Sequence, residues 1–315
     1  MAVAVDRGSL LIDQVIKSLR PARDVLLAIG LYYSVKNVIQ LACQGFKLII
    51  NQLNQPPSFH WHPKKIWSRT HSKYAVVVLH TDIHDPDRLI DLWNRARFRI
   101  LVDGAANTWF QLIKDRNEDI VDPIPNLVTG DFDSINPDVI NYYASQEPRC
   151  KVITTPDQDF TDFTKALQEL SKRISSNTEI EEIYAYAEYD GRLDHIFGLF
   201  ETLYQAKNIP SLPPVFLVSS GTTDWLLQPG IHFISLQEKE PRNVKSNLLN
   251  DEESYRCGII PLGEPCKQIH TSGLKWNIVK SQILAFGTLI STSNTFSDDI
   301  VTIRVGTPVI WTMKN

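Results

Sequence analysis

The sequence predicts an α/β plus β chain: a mostly parallel sheet domain, then a β-sandwich domain, with an extra helical extension in front. Three observations carry this. Between residues 73 and 210, apolar β-branched runs alternate with amphipathic helical patterns, as in a parallel sheet covered on both faces. After Pro210 the helical patterns stop, and short β-branched runs bounded by Gly, Pro or Ser follow. Before residue 73 there is helical periodicity and then a Pro-containing polar stretch. The expected division is 1–72, helical extension and linker; 73–210, α/β domain; and 211–315, β-sandwich domain.

Taken in order, LLIDQVIKSL has apolar residues at helical spacing, and residues 25–42 are nearly uncharged apart from Lys36. That run has about the minimum length for a bilayer, and Lys36 with Asn37 interrupts it. It also lacks a signal peptide's order of basic start, apolar middle and small-residue cleavage site. Residues 1–50 are read as helix packed on protein, with contact at a membrane surface as the alternative. Residues 51–72, with a Pro pair and no sustained period, read as a linker. From Lys73, strands are expected at 74–80, 99–104, 126–130, 151–155 and 183–189, and helices at 86–98, 107–116, 137–146, 163–174 and 192–207. This is the alternation of a Rossmann-like sheet, whose ligands lie beyond the carboxyl ends of its strands. Asp103, Asp131 with Asp133, Asp157 with Asp159, and Asp190 with Arg192 all fall in such turns. Residues 237–256 read as a long exposed loop among the later strands.

A net charge of -4 gives no drive toward nucleic acid. The charge is uneven, with nine Lys/Arg against three Asp/Glu in residues 1–72 and 23 against 33 in the remainder. Cys43, Cys150, Cys257 and Cys266 form no CxxC pair and read as reduced cytosolic thiols, and no Cys/His arrangement suggests structural zinc.

Four motifs bear chemistry. In Gly130-Asp131-Phe132-Asp133-Ser134, residues i and i+2 of an extended segment point the same way, so both carboxylates can face one Mg²⁺; a capped turn is the plain reading. In 157–162, three aspartates precede a helix whose buried face is Phe163, Ala166, Leu167, Leu170 and Ile174. Thr161 or Asp162 can cap that helix, which accounts for one or two of the acids. In Gly191-Arg192-Leu193-Asp194-His195, Arg192 opens a helix and suits phosphate oxygens, or is simply a surface group. Trp276 beside polar residues suits stacking on a flat heteroaromatic cation, but pattern alone reads it as a core tryptophan of a β-domain.

In order and spacing, DGAAN (103–107), GDFDS (130–134), TPDQDFTDFTKAL (155–167), GRLDH (191–195), SGLKWN (272–277), AFGTLISTSN (285–294) and the closing WTM closely resemble eukaryotic thiamine pyrophosphokinase over roughly 74–315. The resemblance implies transfer of pyrophosphate from ATP to the hydroxyl of thiamine, with AMP released. It implies a cytoplasmic homodimer holding thiamine at its interface, with Mg²⁺ as cofactor and ATP as cosubstrate. Asp131, Asp133 and Asp162 match the metal positions. Asp103, Gln158, Asp159, Thr161, Arg192 and Asp194 match positions along the nucleotide and its phosphates, with Asp133, Asp162, Arg192 and Asp194 at the chemistry. Trp276, Ser293 and Asn294 match the thiamine side. Two stretches depart from the family's pattern. Ala105 stands where it usually has glycine, and Ala187-Glu188-Tyr189-Asp190 replaces a small, glycine-rich turn. The alternative reading is a thiamine- or nucleotide-binding homologue with weakened or lost transfer; a DxD phosphohydrolase leaves the Trp276 region unexplained.

Overall fold

The computed structural model describes Gln14, Lys17 and residues 56–79, 82–174, 179–236 and 256–315. The expectations for 1–50 and for the loop at 237–256 lie outside these residues, apart from Gln14 and Lys17, which are helical and exposed, and Arg256. Among the described residues no helix is long and apolar enough to cross a membrane. Contacts divide the chain into Met1–Pro56 and Pro57–Asn315, and the architecture below is that of the second unit.

Its strands are β1 (Ser58–Trp61), β2 (Tyr74–Val78), β3 (Phe98–Val102), β4 (Leu127–Gly130), β5 (Lys151–Thr154), β6 (Glu182–Tyr186), β7 (Val215–Val218), β8 (Thr222–Leu227), β9 (Gly230–Ser235), β10 (Arg256–Ile260), β11 (Ile269–Ser272), β12 (Ser291–Thr295), β13 (Ile300–Val305) and β14 (Val309–Lys314). The helices are α1 (Pro86–Arg95), α2 (Ala105–Arg116), α3 (Pro137–Ala144), α4 (Asp162–Ser171) and α5 (Leu193–Ala206). The larger sheet has the order β12-β10-β14-β8-β7-β6-β2-β3-β4-β5. It is parallel from β5 to β7 and antiparallel from β7 to β12. The α/β and β parts therefore share one continuous sheet. A second sheet, β1-β9-β13-β11, forms the other layer of the sandwich.

The linker expected over 51–72 is corrected in its later part. Phe59 to Trp61 continue a strand that pairs in parallel with β9, and Pro63–Trp67 form a 3-10 helix with Ile66 fully buried. Trp61 drives this inward: its indole N–H donates to His232 Nδ1 at 3.0 Å, and the ring packs on Trp225. The opposite nitrogen of His232 lies 2.7 Å from the carbonyl of Gln228, so Nε2 carries the proton and the ring is neutral. Burial lowers its pKa.

Period-2 alternation sorts β2 between two cores. Tyr74, Val76 and Val78 face α1, α2 and α3 with Leu89, Trp93, Trp109 and Val139; Ala75 and Val77 face α4 and α5 with Phe163, Leu167 and Leu203. Burial of each large side chain contributes about 2–3 kcal/mol. Trp93 and Trp109 stack with centroids 3.8 Å apart and donate their indole N–H groups to the carbonyls of Asp122 and Pro123. The approach to β4, and so to the aspartates beyond it, is thereby fixed. At β2 and β6, adjacent in the sheet, the chain departs in opposite directions toward β3 and β7, the condition for a ligand crevice at the carboxyl ends.

Candidate active site

Asp103 follows β3 in a left-handed conformation (φ 47°), with its amide donating to the carbonyl of Thr129 at 2.8 Å. It is buried, and its Oδ1 has no hydrogen-bond partner. Burial pushes its carboxyl above the usual aspartate range, and the charges of Asp162 and Asp133 add to the rise against hydrogen bonds from Gly104 and Ser134. The next departure from the family's pattern, Ala105, is fully buried with its methyl in the α1–α2 core.

Asp131 and Asp133 do come together, but not by strand geometry. Phe132 has φ 65°, so the chain turns, and the Asp133 amide donates back to Asp131 Oδ1 at 3.3 Å. Asp131 Oδ2 accepts from Gln158 at 3.0 Å, and that hydrogen bond first of all holds its carboxyl below the usual range. Ser134 donates to Asp133 Oδ1 at 2.7 Å. Ligand oxygens of Asp103, Asp131 and Asp133 lie within 4.8 Å of one another. The carboxylate trio thus sets Asp103 beside Asp131 and Asp133, two of the three positions that the resemblance implies for the metal. Three hard oxygens from ionisable groups, one of them buried without a partner, fit a small divalent cation.

Asp162 instead pairs with Lys165 at 2.8 Å. Lys165 is buried and donates to the carbonyls of Thr155 and Asp157, both at 2.8 Å. It ties the 155–162 loop to the first turn of α4. Thr161 caps α4 through the amide of Thr164 at 3.1 Å, and its hydroxyl meets Thr202 of α5 at 2.8 Å. Asp159 is exposed, with its amide donating to Asp157 Oδ1 at 2.8 Å. Arg192 is the N-cap residue of α5 and pairs with Asp194 through Nε at 3.1 Å and through Nη2, both side chains standing exposed. This pairing holds the Asp194 carboxyl down.

Trp276 overturns the core reading, since its side chain is 58% exposed. Buried Asn294 holds it by the main chain: the Trp276 amide donates to Asn294 Oδ1 at 3.1 Å, and Nδ2 donates to the Trp276 carbonyl at 2.7 Å. Ser293 before it is exposed at φ 54°. Lys275 Nζ stands 5.0 Å from the indole centroid, so the ring face already accepts a cation.

Sequence reasoning passed over Lys165 and Asn107. Lys165 sits three residues after Asp162, a helical spacing that signals an ion pair. Asn107, the last residue of DGAAN, donates to the carbonyl of Ser134 and accepts from the amide of Asn136, both at 2.8 Å, so α2 clamps the aspartate turn.

Residues 89–212 match the family model described as thiamin pyrophosphokinase, catalytic domain, and residues 245–310 match its vitamin B1 binding domain. Thiamine pyrophosphokinase 1 of Oryza sativa subsp. japonica is 32% identical over 248 residues, 76% of this chain and 87% of that protein. Thiamin pyrophosphokinase 1 of Caenorhabditis elegans is 29% identical over 229 residues, 72% and 83% of the two chains. Among solved structures, yeast thiamin pyrophosphokinase has a TM-score of 0.66 at 20% identity, covering 83% of this chain and 92% of its own. That of Candida albicans has 0.64 at 22%, covering 82% and 94%. These two likenesses concern the fold.

Proposed function

The chain belongs to the thiamin pyrophosphokinase family, and from that membership we propose that it transfers pyrophosphate from ATP to the hydroxyl of thiamine, giving thiamine diphosphate and AMP. The observation that carries the reading is the convergence of Asp103, Asp131 and Asp133 beyond β3 and β4. Residues 73–210 take the nucleotide and 211–315 take thiamine.

The hydroxyl oxygen of thiamine attacks the β-phosphorus as AMP leaves, a reaction that needs positioning and charge neutralisation more than covalent help. Asp103, Asp131 and Asp133 would hold Mg²⁺, which would neutralise phosphate charge when bound. Gln158 fixes the Asp131 carboxylate from the opposite loop. Asp162, turned by Lys165, and Asp159 face the nucleotide side of the site. Thr161 sets the start of α4 there. Arg192 reaches phosphate oxygens by exchanging Asp194 for substrate, since both side chains are exposed and paired only by charge-assisted hydrogen bonds. Trp276 stacks on the cationic thiazolium, with Ser293 and Asn294 fixing the strand beneath it.

We further propose a homodimer. Leu193 and Phe197 on α5, and Trp276, Val279, Ile283 and Phe286 in the β part, are large apolar side chains left exposed in the single chain, as an interface core requires. A cytoplasmic location is proposed on Cys150, Cys257 and Cys266, which are free and buried. The test is purified chain with ATP, Mg²⁺ and thiamine, followed for AMP and thiamine diphosphate. Stoichiometric formation of both is expected. Thiamine binding without AMP release overturns the transfer and leaves a binding homologue.

A further inference from the structure

Beyond the carboxyl ends of β2, β6 and β7, three loops are joined by groups that play no part in the chemistry above. Glu188 is only 7% exposed, and its carboxylate accepts from the Tyr186 hydroxyl at 2.8 Å and from the Ser220 amide and hydroxyl, each at 2.9 Å. Arg88, in the first turn of α1, donates to the carbonyl of Ser220 at 2.7 Å. The β7–β8 turn is therefore held from both sides. His84 completes the knot, with Nε2 2.9 Å from Asp190 Oδ2 and Nδ1 3.8 Å from Glu188 Oε2. Asp190 stands two residues before Arg192, and Gly191 between them takes φ 76°. The crossing from the β2 loop to the β6 loop spans the point where the sheet's connections diverge.

We propose that His84 is a positioning residue for the nucleotide phosphates: it holds the Asp190 carboxylate against itself, beside Glu188, and so keeps that negative charge off the triphosphate at the Gly191–Arg192 turn. This rests on the reading that ATP lies against Arg192. A carboxylate beside a polyphosphate site repels the ligand unless it is held away or a cation opposes it. Glu188 is turned away into its hydrogen bonds with Tyr186 and Ser220, whereas the Asp190 side chain keeps 39% exposure and faces His84. Other charged or titratable groups around this knot include Asp82 and Asp85 in the His84 segment, Arg88 on α1, Tyr186 on β6, and Tyr189, whose hydroxyl donates to buried Asp224.

The experiment measures binding of α,β-methylene ATP with Mg²⁺ by calorimetry, beside initial rates with ATP and thiamine. His84→Ala is expected to weaken analogue binding about fivefold to tenfold, the scale of one nearby charge, and to raise KM for ATP with kcat little changed. Asp190→Asn alone binds as wild type. The double variant recovers wild-type binding, which a merely structural role for His84 does not produce. Unchanged binding in His84→Ala, or a double variant as weak as the single one, overturns the proposal. A wild-type chain that binds the analogue but releases no AMP overturns the assigned reaction instead, and the bridge is judged by the same binding series. No analogue binding at all overturns both.

Discussion

Gly130 and Asp103 meet backbone to backbone: a Cβ placed on Gly130 would lie 2.8 Å from the Asp103 Cβ and 3.1 Å from its Cα. The hydrogen-bonded register of β3 and β4 permits that approach only because one partner has no side chain. Gly130→Ala must push Asp103 away from Asp131 and Asp133. The expected result is a raised Mg²⁺ requirement and a stability loss of about 1–3 kcal/mol. Asp133→Ala, which removes a ligand without moving backbone, is expected to lose turnover about 100-fold or more at unchanged melting temperature. Full turnover of Asp133→Ala at saturating Mg²⁺ would contradict the assigned metal site.

Lys165 is the buried counterpart of the exposed acids. Lys165→Met leaves the carbonyls of Thr155 and Asp157 and the carboxylate of Asp162 without their cation. Stability should fall by about 3 kcal/mol in chemical denaturation, and turnover should fall with it because the loop before α4 loosens. A variant that melts as wild type and turns over normally would remove Lys165 from the site's support.

Trp276 and Asn294 separate ligand contact from scaffold. Trp276→Ala removes a ring exposed in the single chain, so KM for thiamine should rise about tenfold or more while the melting temperature falls less than in Asn294→Ala. Asn294→Ala leaves the main-chain amide and carbonyl of Trp276 unpaired beside a buried cavity, and should cost about 1–3 kcal/mol as well as thiamine affinity. Equal melting of the two variants would show that Asn294 is not the strut.

His232 gives the stability curve an acid-side slope. Burial lowers its pKa in the folded chain, so between the folded and unfolded values the unfolded chain binds the extra proton. Stability is then full above the unfolded value of about 6.5 and declines as pH falls below it. His232→Gln, which keeps an acceptor for Trp61 but does not titrate, should be less stable than wild type at pH 7.5 and close that gap toward pH 5. A constant gap across that range would contradict the assignment.

The alternation from β2 to α5 is legible because burial on both faces of a parallel sheet leaves continuous apolar runs such as 74–78, while one-sided helices keep their stripe. The aspartates are legible as a group, but not how they converge, since nothing in Asp131-Phe132-Asp133 announces a left-handed Phe132. Lys165 lies off the apolar stripe of its helix and draws no notice in the sequence; its burial depends on the carbonyls of Thr155 and Asp157 in a loop packed over it. Trp276 reads as core because most tryptophans are, whereas its ring stands exposed on a main chain held by Asn294, 18 residues on. The continuity of the two halves through β6, β7 and β8 depends on strand pairing that local pattern does not encode.

The SFHW strand has its own consequence in time. Trp61 and His232, which lock β1 to β9, are 171 residues apart, so at roughly 5–20 residues per second a nascent chain carries that segment for about 10–30 s before its partner exists. During that interval an aromatic strand with open hydrogen-bonding edges is available to any other sheet. Refolding yield should therefore fall with protein concentration more steeply in wild type than in a variant whose Trp61 is replaced by a charged residue, even though that variant's native state is weaker.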